Sequence, residues 1–383
     1  MPFYVLQNKA GSYEYFVSKN INVALAQTSV VPAGRPPAFV GTTRLLPNLP
    51  KNSQMTMTLH KIIFAASLTL ALAASSAASA KQTGQVFISS ENDNVITVLD
   101  GKTQQQIASI PVCKRPRDMR LTRDRLRLIA VCGDDGIAIV VDVASRTVVD
   151  KIKLQEGVEI FDLSPDGKKL YFSNEDEAAI VVVDLVAKKI INQIKVGEEP
   201  EGVLVTPDGK TLYATSEVAG LVHVIDLASG KIVKNIEVAK RPRRLALTPD
   251  GKELWVTCEV GASVAVIRTA DNTLLDTIQF QPKGFRVDDI SPVGIAISAD
   301  GKSAFVGLGR ANHVAQVDIA SRKVRNLILV GKRAWGLALS RDNATLYVAN
   351  GLSDDVSVVD VASGRAVKTV RAGRVPHSVV IDD

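Results

Sequence analysis

The chain has 383 residues, 46% apolar and 5% aromatic, with a formal charge of +6 and three cysteines. That balance excludes a disordered chain and a disulfide-dense small scaffold, and the length suits one large or two ordinary domains. The modest positive charge points only weakly to anionic partners.

Residues 1–54 show no hydrophobic periodicity and match nothing later in the chain, so they are expected to be disordered. Residues 55–80, MTMTLHKIIFAASLTLALAASSAASA, have the anatomy of a secretory signal peptide. Lys61 is followed by an apolar run from Ile62 to about Ala74 and by small residues ending Ala78-Ser79-Ala80. The run is shorter than the ~20 residues of a membrane span. Cleavage after Ala80, release into the periplasm and no remaining membrane anchor are expected. Because a signal belongs at an N-terminus, the leader reads as an upstream mis-start, with Met55 or Met57 the initiator.

From residue 81 to residue 383 the chain repeats itself. Asp124, Asp166, Asp208, Asp250, Asp300 and Asp342 mark one position at spacings of 42, 42, 42, 50 and 42. A second marker runs through Asp100, Asp142, Asp184, Asp226, Asp318 and Asp360, with Arg268 replacing Asp in one copy. Each copy holds four short β-like runs. In residues 201–238 these are EGVLVT, TLYATS, LVHVIDL and IVKNIEV, punctuated by PDGK and ASGK, where Pro fixes φ and Gly permits positive φ. Four strands in about forty residues is the pattern of a propeller blade. The series begins with a second strand, QVFIS at 85–89, and ends with a first strand, HSVVI at 377–381. An all-β, seven-bladed propeller of four antiparallel strands per blade is predicted, its ring closed by the C-terminal strand joining the first blade, and a monomer.

The runs LYATSEV, LWVTCEV and LYVANGL, with VIDLASGK and VVDVASGR, resemble the YVTN-type propeller family across residues 85–383. More narrowly, the pattern of residues 81–383 is similar to the β-propeller group associated with pyrroloquinoline quinone (PQQ)-dependent catabolism. That resemblance implies a secreted protein working beside quinoprotein alcohol oxidation, with a quinoprotein dehydrogenase or cytochrome as partner and PQQ as a candidate ligand.

A first strand lines the central channel of a propeller. Its entry positions here are Arg117, Glu159, Glu201, Arg243, Val293, Trp335 and His377, with Arg115, Gly157, Glu199, Arg241, Ser291, Arg333 and Val375 two residues earlier. Glu91, Glu175, Glu217 and Glu259 end the second strands. These should meet at one mouth of the channel. Deeper positions are small or apolar (Leu204, Ala246, Ala296, Ala338), apart from Arg120 and Asp162. An eight-residue insertion in QPKGFRVDDISP, residues 281–292, falls on the same face and adds Lys283, Phe285, Arg286, Asp288 and Asp289; longer loops often carry function. A ring of charges that merely pair with one another is the alternative. Arg117, Arg243 and Arg333 with Trp335 suit a planar small anion, expected off-centre near the seventh, first and second blades.

Several chemistries are disfavoured. There is no HExxH, paired CxxC or GxSxG, so a zinc site and a serine nucleophile have no motif. Calcium on Glu159, Glu175 and Glu201 would compete with adjacent arginines. Single-stranded nucleic acid would need more aromatics than Trp335 and Phe285 and fewer glutamates. Cys113 and Cys132 fall on one face of the second blade and can form a disulfide, leaving Cys258 reduced. The sequence favours a non-enzymatic binding or scaffold protein with an anionic ligand or partner at the mouth. The alternative is a propeller lactonase-type hydrolase using clustered Arg, Glu and His there.

Overall fold

The computed structural model describes residues 3–7, 13–17 and 82–383. Within the leader expected to be disordered, Phe3–Gln7 and Tyr13–Val17 pair as a two-stranded antiparallel sheet. Both strands are rich in Tyr, Phe and Val, which favour a pleated strand. The signal-peptide stretch lies outside the described residues.

Residues 85–382 form seven four-stranded antiparallel sheets. Blades 2 to 7 are each continuous in sequence, starting at Pro116, Val158, Pro200, Pro242, Ile295 and Ala334. Blade 1 is composite: Pro376–Asp382 is its inner strand and pairs with Gln85–Ser90, which is followed by Val95–Asp100 and Gln106–Pro111. The chain is a seven-bladed β-propeller, closed as the repeat count requires.

The core lies between blades. Buried side chains fall into seven clusters, one for each pair of neighbouring blades. In Gln85–Ser90, Phe87 packs toward blade 2 while Val86 and Ile88 pack toward blade 7. A strand buried on both faces needs a continuous apolar run, which explains why inner and middle strands do not alternate apolar with polar.

The turns are set by the repeated aspartates. Asp208 accepts from Thr206 Oγ1 (2.6 Å) and from the Lys210 amide (3.1 Å), closing the Pro-Asp-Gly-Lys turn. Asp226 accepts from the Ser229 amide (2.8 Å) and hydroxyl (2.6 Å) in the turn between the outer strands. Asx turns of this kind fix the loop with no help from the core. They occupy the face opposite the channel mouth described next.

Candidate functional site

Six of the seven inner strands begin with the same distortion. Pro242 pairs with Cys258 and Leu245 with Val256, so Arg243 and Arg244 together oppose Thr257. The same two-against-one step sets Arg117-Asp118, Glu159-Ile160, Glu201-Gly202, Trp335-Gly336 and His377-Ser378. Such a β-bulge bends the strand and re-aims side chains. Second-strand hydroxyls clamp the bulge of the next blade. Ser89 Oγ donates to the Arg117 carbonyl (2.7 Å), Ser173 Oγ to that of Glu201 (2.6 Å), and Thr215 Oγ1 to that of Arg243 (3.0 Å). At the second bulge position a Cβ on Gly202 would come 2.0 Å from the Arg243 carbonyl oxygen, and one on Gly336 2.2 Å from that of His377. Glycine is needed there because neighbouring backbones touch.

The structure brings nearly all the expected residues together, but as two ion-paired clusters. In blades 1 to 3, Arg117 pairs with Glu159 and with Glu91 (3.2 Å), and Arg115 pairs with Glu159 (2.7 Å) and Asp134 (3.3 Å). In blades 4 and 5, Arg243 bonds Glu201 (3.1 Å), Glu217 (2.9 Å) and Glu259 (3.0 Å). Arg241 reaches Glu217 (2.6 Å) and Glu259 (3.3 Å), rather than Glu201. Arg244, which the entry-position reading passed over, bonds Glu201 at 2.9 Å. Deeper in the channel Arg120 lies 3.5 Å from Asp118 and 3.8 Å from Asp162.

This corrects the expected anion site. Arg117 and Arg243 are already neutralised by glutamates, so they are not the free cations of the mouth. Arg333 is: among the described residues it makes no ion pair, and its guanidinium lies over Trp335, 4.3 Å from the ring centroid. Arg243 approaches the same ring at 5.4 Å and the His377 ring lies 5.7 Å away. The buried Trp335 Nε1 has no hydrogen-bond partner among the described residues. Arg286 does not join the cluster. It is 82% exposed on its side chain and pairs only with Asp288 (3.6 Å), because the 281–292 loop carries it into solvent.

The opposite charge is uncommitted at Glu175, at the end of the second strand of blade 3. It is exposed and makes no ion pair or side-chain hydrogen bond among the described residues. Oxygens of Glu159, Glu175 and Glu201 lie within 4.8 Å of one another. Burial and the nearby Glu201 push the Glu175 carboxyl upward. Glu201, with no exposed surface, is pressed upward by burial, yet Arg243, Arg244 and Arg117 hold it at about 2. Glu217 is raised to about 7, because burial and Glu201 outweigh Arg243 and Arg241. His377 is kept neutral by burial and by Arg117 and Arg244, and its Nε2 accepts from Arg244 Nη2 at 3.3 Å. The group does not suit a divalent cation, since Arg115 and Arg117 pair with Glu159 and Arg243 and Arg244 with Glu201, which leaves Glu175 as its one unpaired carboxylate.

Of the remaining expectations, Cys113 and Cys132 are bridged, with Cα atoms 5.9 Å apart, and Cys258 is free and buried. His223 is packed inside blade 4, between Ser216 Oγ (2.8 Å) and Asn235 Oδ1 (2.7 Å). His313 contacts the insertion through Phe285, edge-on at 5.3 Å.

Residues 233–382 match the family model described as a lactonase, 7-bladed β-propeller. Among solved structures, hydrazine synthase of Kuenenia stuttgartiensis is similar at 24% identity and TM-score 0.67, covering 73% of this chain and 93% of that one. The periplasmic gluconolactonase PpgL of Pseudomonas aeruginosa is similar at 20% identity and TM-score 0.66, covering 78% and 98%. The dihydro-heme d1 dehydrogenase NirN is similar at 16% identity and TM-score 0.62, covering 79% and 76%. No curated protein matches the sequence. These structural likenesses establish the fold, and the family model adds a lactonase-type relation for the last part of the ring.

Proposed function

We propose that the protein hydrolyses lactones at the channel mouth. The reading rests on one observation: the channel mouth holds an uncommitted carboxylate, Glu175 on blade 3, and an uncommitted guanidinium, Arg333 on blade 7, each within the field of Arg243. In a seven-membered ring these blades stand on opposite sides. The lactonase-model match over residues 233–382 and the likeness to a gluconolactonase support the same chemistry, and the Cys113–Cys132 bridge supports an oxidising compartment such as the periplasm.

In this reading the lactone rests on Trp335. Glu175 takes a proton from water, and the resulting hydroxide adds to the lactone carbonyl carbon. Arg333 stabilises the oxyanion that forms. The ring C–O bond then breaks, its oxygen takes that proton from Glu175, and the carboxylic acid formed ionises, releasing one proton to water and leaving a hydroxy-carboxylate at Arg333. The raised Glu175 carboxyl is suited to giving the proton back as well as taking it. The paired arginines and glutamates hold the walls of the mouth and do not enter the reaction.

The test is pH-stat titration of γ- and δ-lactones against spontaneous opening. Wild-type protein is expected to accelerate opening, and Glu175→Gln to lower kcat by about 100- to 10,000-fold. Absence of acceleration, or full activity in Glu175→Gln, overturns the proposal. One observation favours a second reading. A guanidinium stacked on an indole suits a planar carboxylate such as PQQ, in a protein that docks a quinoprotein partner. In the same preparation, PQQ-dependent quenching of Trp335 without any lactone opening is the outcome that selects it.

A further inference from the structure

The rim of the mouth is not uniform. Two residues past the second strand, blades 1 to 3 carry Asn92, Asp134 and Asp176, whereas blades 4, 5 and 7 carry Val218, Val260 and Leu352, and blade 6 carries Gly309, followed by the exposed Arg310. Val218 and Val260 are 61% and 59% exposed at equivalent turns of neighbouring blades, so two apolar side chains flank one surface depression. Between them lies a pocket of about 470 Å³, with an apolar wall of Val218, Val260, Val238 and Ala219 and a charged side of Glu199, Glu217, Lys240 and Arg241. That volume is ordinary for a small-ligand site. The pocket adjoins the mouth, because Glu217 and Arg241 line it and also belong to the ion-paired cluster, Glu217 bonding Arg241 (2.6 Å) and Arg243 (2.9 Å).

We infer that this pocket is a subsite for an aliphatic arm of the ligand, so that the lactone opened at the mouth carries an alkyl or acyl substituent. The inference rests on the lactonase reading for the reaction, but the pocket has its own chemistry. Its valines stand in water at positions where blades 1 to 3 use polar side chains, and water is displaced from them only if something apolar lies over them. A purely hydroxylated ring would gain nothing from that wall. An alkyl chain leaving a ring at the mouth has an apolar wall to lie against between blades 4 and 5, away from the polar rim of blades 1 to 3.

The experiment uses two series of probes on the full chain. In the first, kcat/KM is measured from γ-butyrolactone to γ-nonanolactone. A rise of about fourfold per buried methylene is expected until the pocket is filled, and in the Val218→Asn/Val260→Asn double variant the long-to-short ratio should collapse toward one. In the second, binding of butanoate and nonanoate is followed by calorimetry, which requires no catalysis. A nonanoate preference lost in the double variant, with no lactone opened, keeps the subsite and removes the hydrolase reading. Lactone turnover with a flat chain-length profile removes the subsite and keeps the hydrolase. Equal binding of the two acids also removes the subsite. If the double variant does not fold, the wild-type chain-length series decides alone.

Discussion

Glu201 is the residue on which the mouth depends. A carboxylate without exposed surface should be neutral, yet three guanidinium groups keep it ionised. Replacing it by glutamine leaves Arg243 and Arg244 facing a buried site with one charge missing, and such half-broken pairs cost about 3–5 kcal/mol. Glu201→Gln should therefore be destabilised by about that amount at neutral pH in urea unfolding. The sign with pH follows from the lowered carboxyl: its contribution is complete above the ordinary glutamate range and is lost as pH falls through about 2. The gap between wild type and variant should close on acidification, and a gap that widens would contradict the ion-pair account. Much of this was legible in the sequence, since Arg117, Glu159, Glu201, Arg243, Trp335 and His377 fall at one repeat position. Arg244 and Asp118 were not. Strict alternation sends the residue after a channel-lining one to the opposite face, and only the bulge turns both inward. Nor could repeat arithmetic tell which cations are spent, because pairing depends on side-chain reach across blades. That is why Arg117, Arg243 and Arg333 read alike in the sequence, although the first two are paired and the third is not.

At the scale of the element, the blade is a repeated solution with local departures. The aspartate turns recur in nearly every copy because each needs only its own neighbours, and this is why the sequence displays the fold so openly. Blade 6 departs most: its inner strand is reduced to Ile295–Ile297 and follows the insertion, with no bulge at its start. Val293 there is buried and apolar, so blade 6 contributes no charge to the inner ring. Blade 2 departs by a covalent tie. Cys113 enters the blade and Cys132 ends its second strand, 19 positions apart, beside Arg115 and Arg117. Closing a loop of that size restricts the unfolded chain by about 3 kcal/mol in the loop-entropy account. Replacing both cysteines by serine should lower stability by about that amount, measured by urea unfolding without reductant. The denatured, unreduced wild type should titrate a single thiol, that of Cys258. Three titrating thiols would show that the bridge does not form.

At the scale of the whole molecule, stability is a property of the closed ring. Every cluster of the core is shared between two blades, so an open ring would lose one complete cluster and expose two sheet faces. Closure falls to blade 1, where the ends of the propeller meet. Asp382 is buried and accepts from the Thr83 amide (2.8 Å), the Thr83 hydroxyl (2.6 Å) and Arg125 Nε (2.8 Å). Arg125 also donates from Nη2 to the Ile381 carbonyl (2.8 Å), which ties the last strand to blade 2. Four donors thus converge on the final residues, and Asp382→Ala removes the buried acceptor shared by three of them. The expected loss is about 2–4 kcal/mol, since hydrogen bonds to a charged group contribute about 1.5–3 kcal/mol and the released donors recover part of that from water. Asp360→Ala is the control: it removes an equivalent carboxylate from an exposed turn, where the Ser363 amide it caps can turn to water, and it should cost under about 1 kcal/mol. Ending the chain at Val375 should go further, because it leaves Gln85–Ser90 as a buried strand turned into a bare edge. Such a chain is expected to aggregate, and a soluble monomer melting like the wild type would mean that the ring does not need its seam.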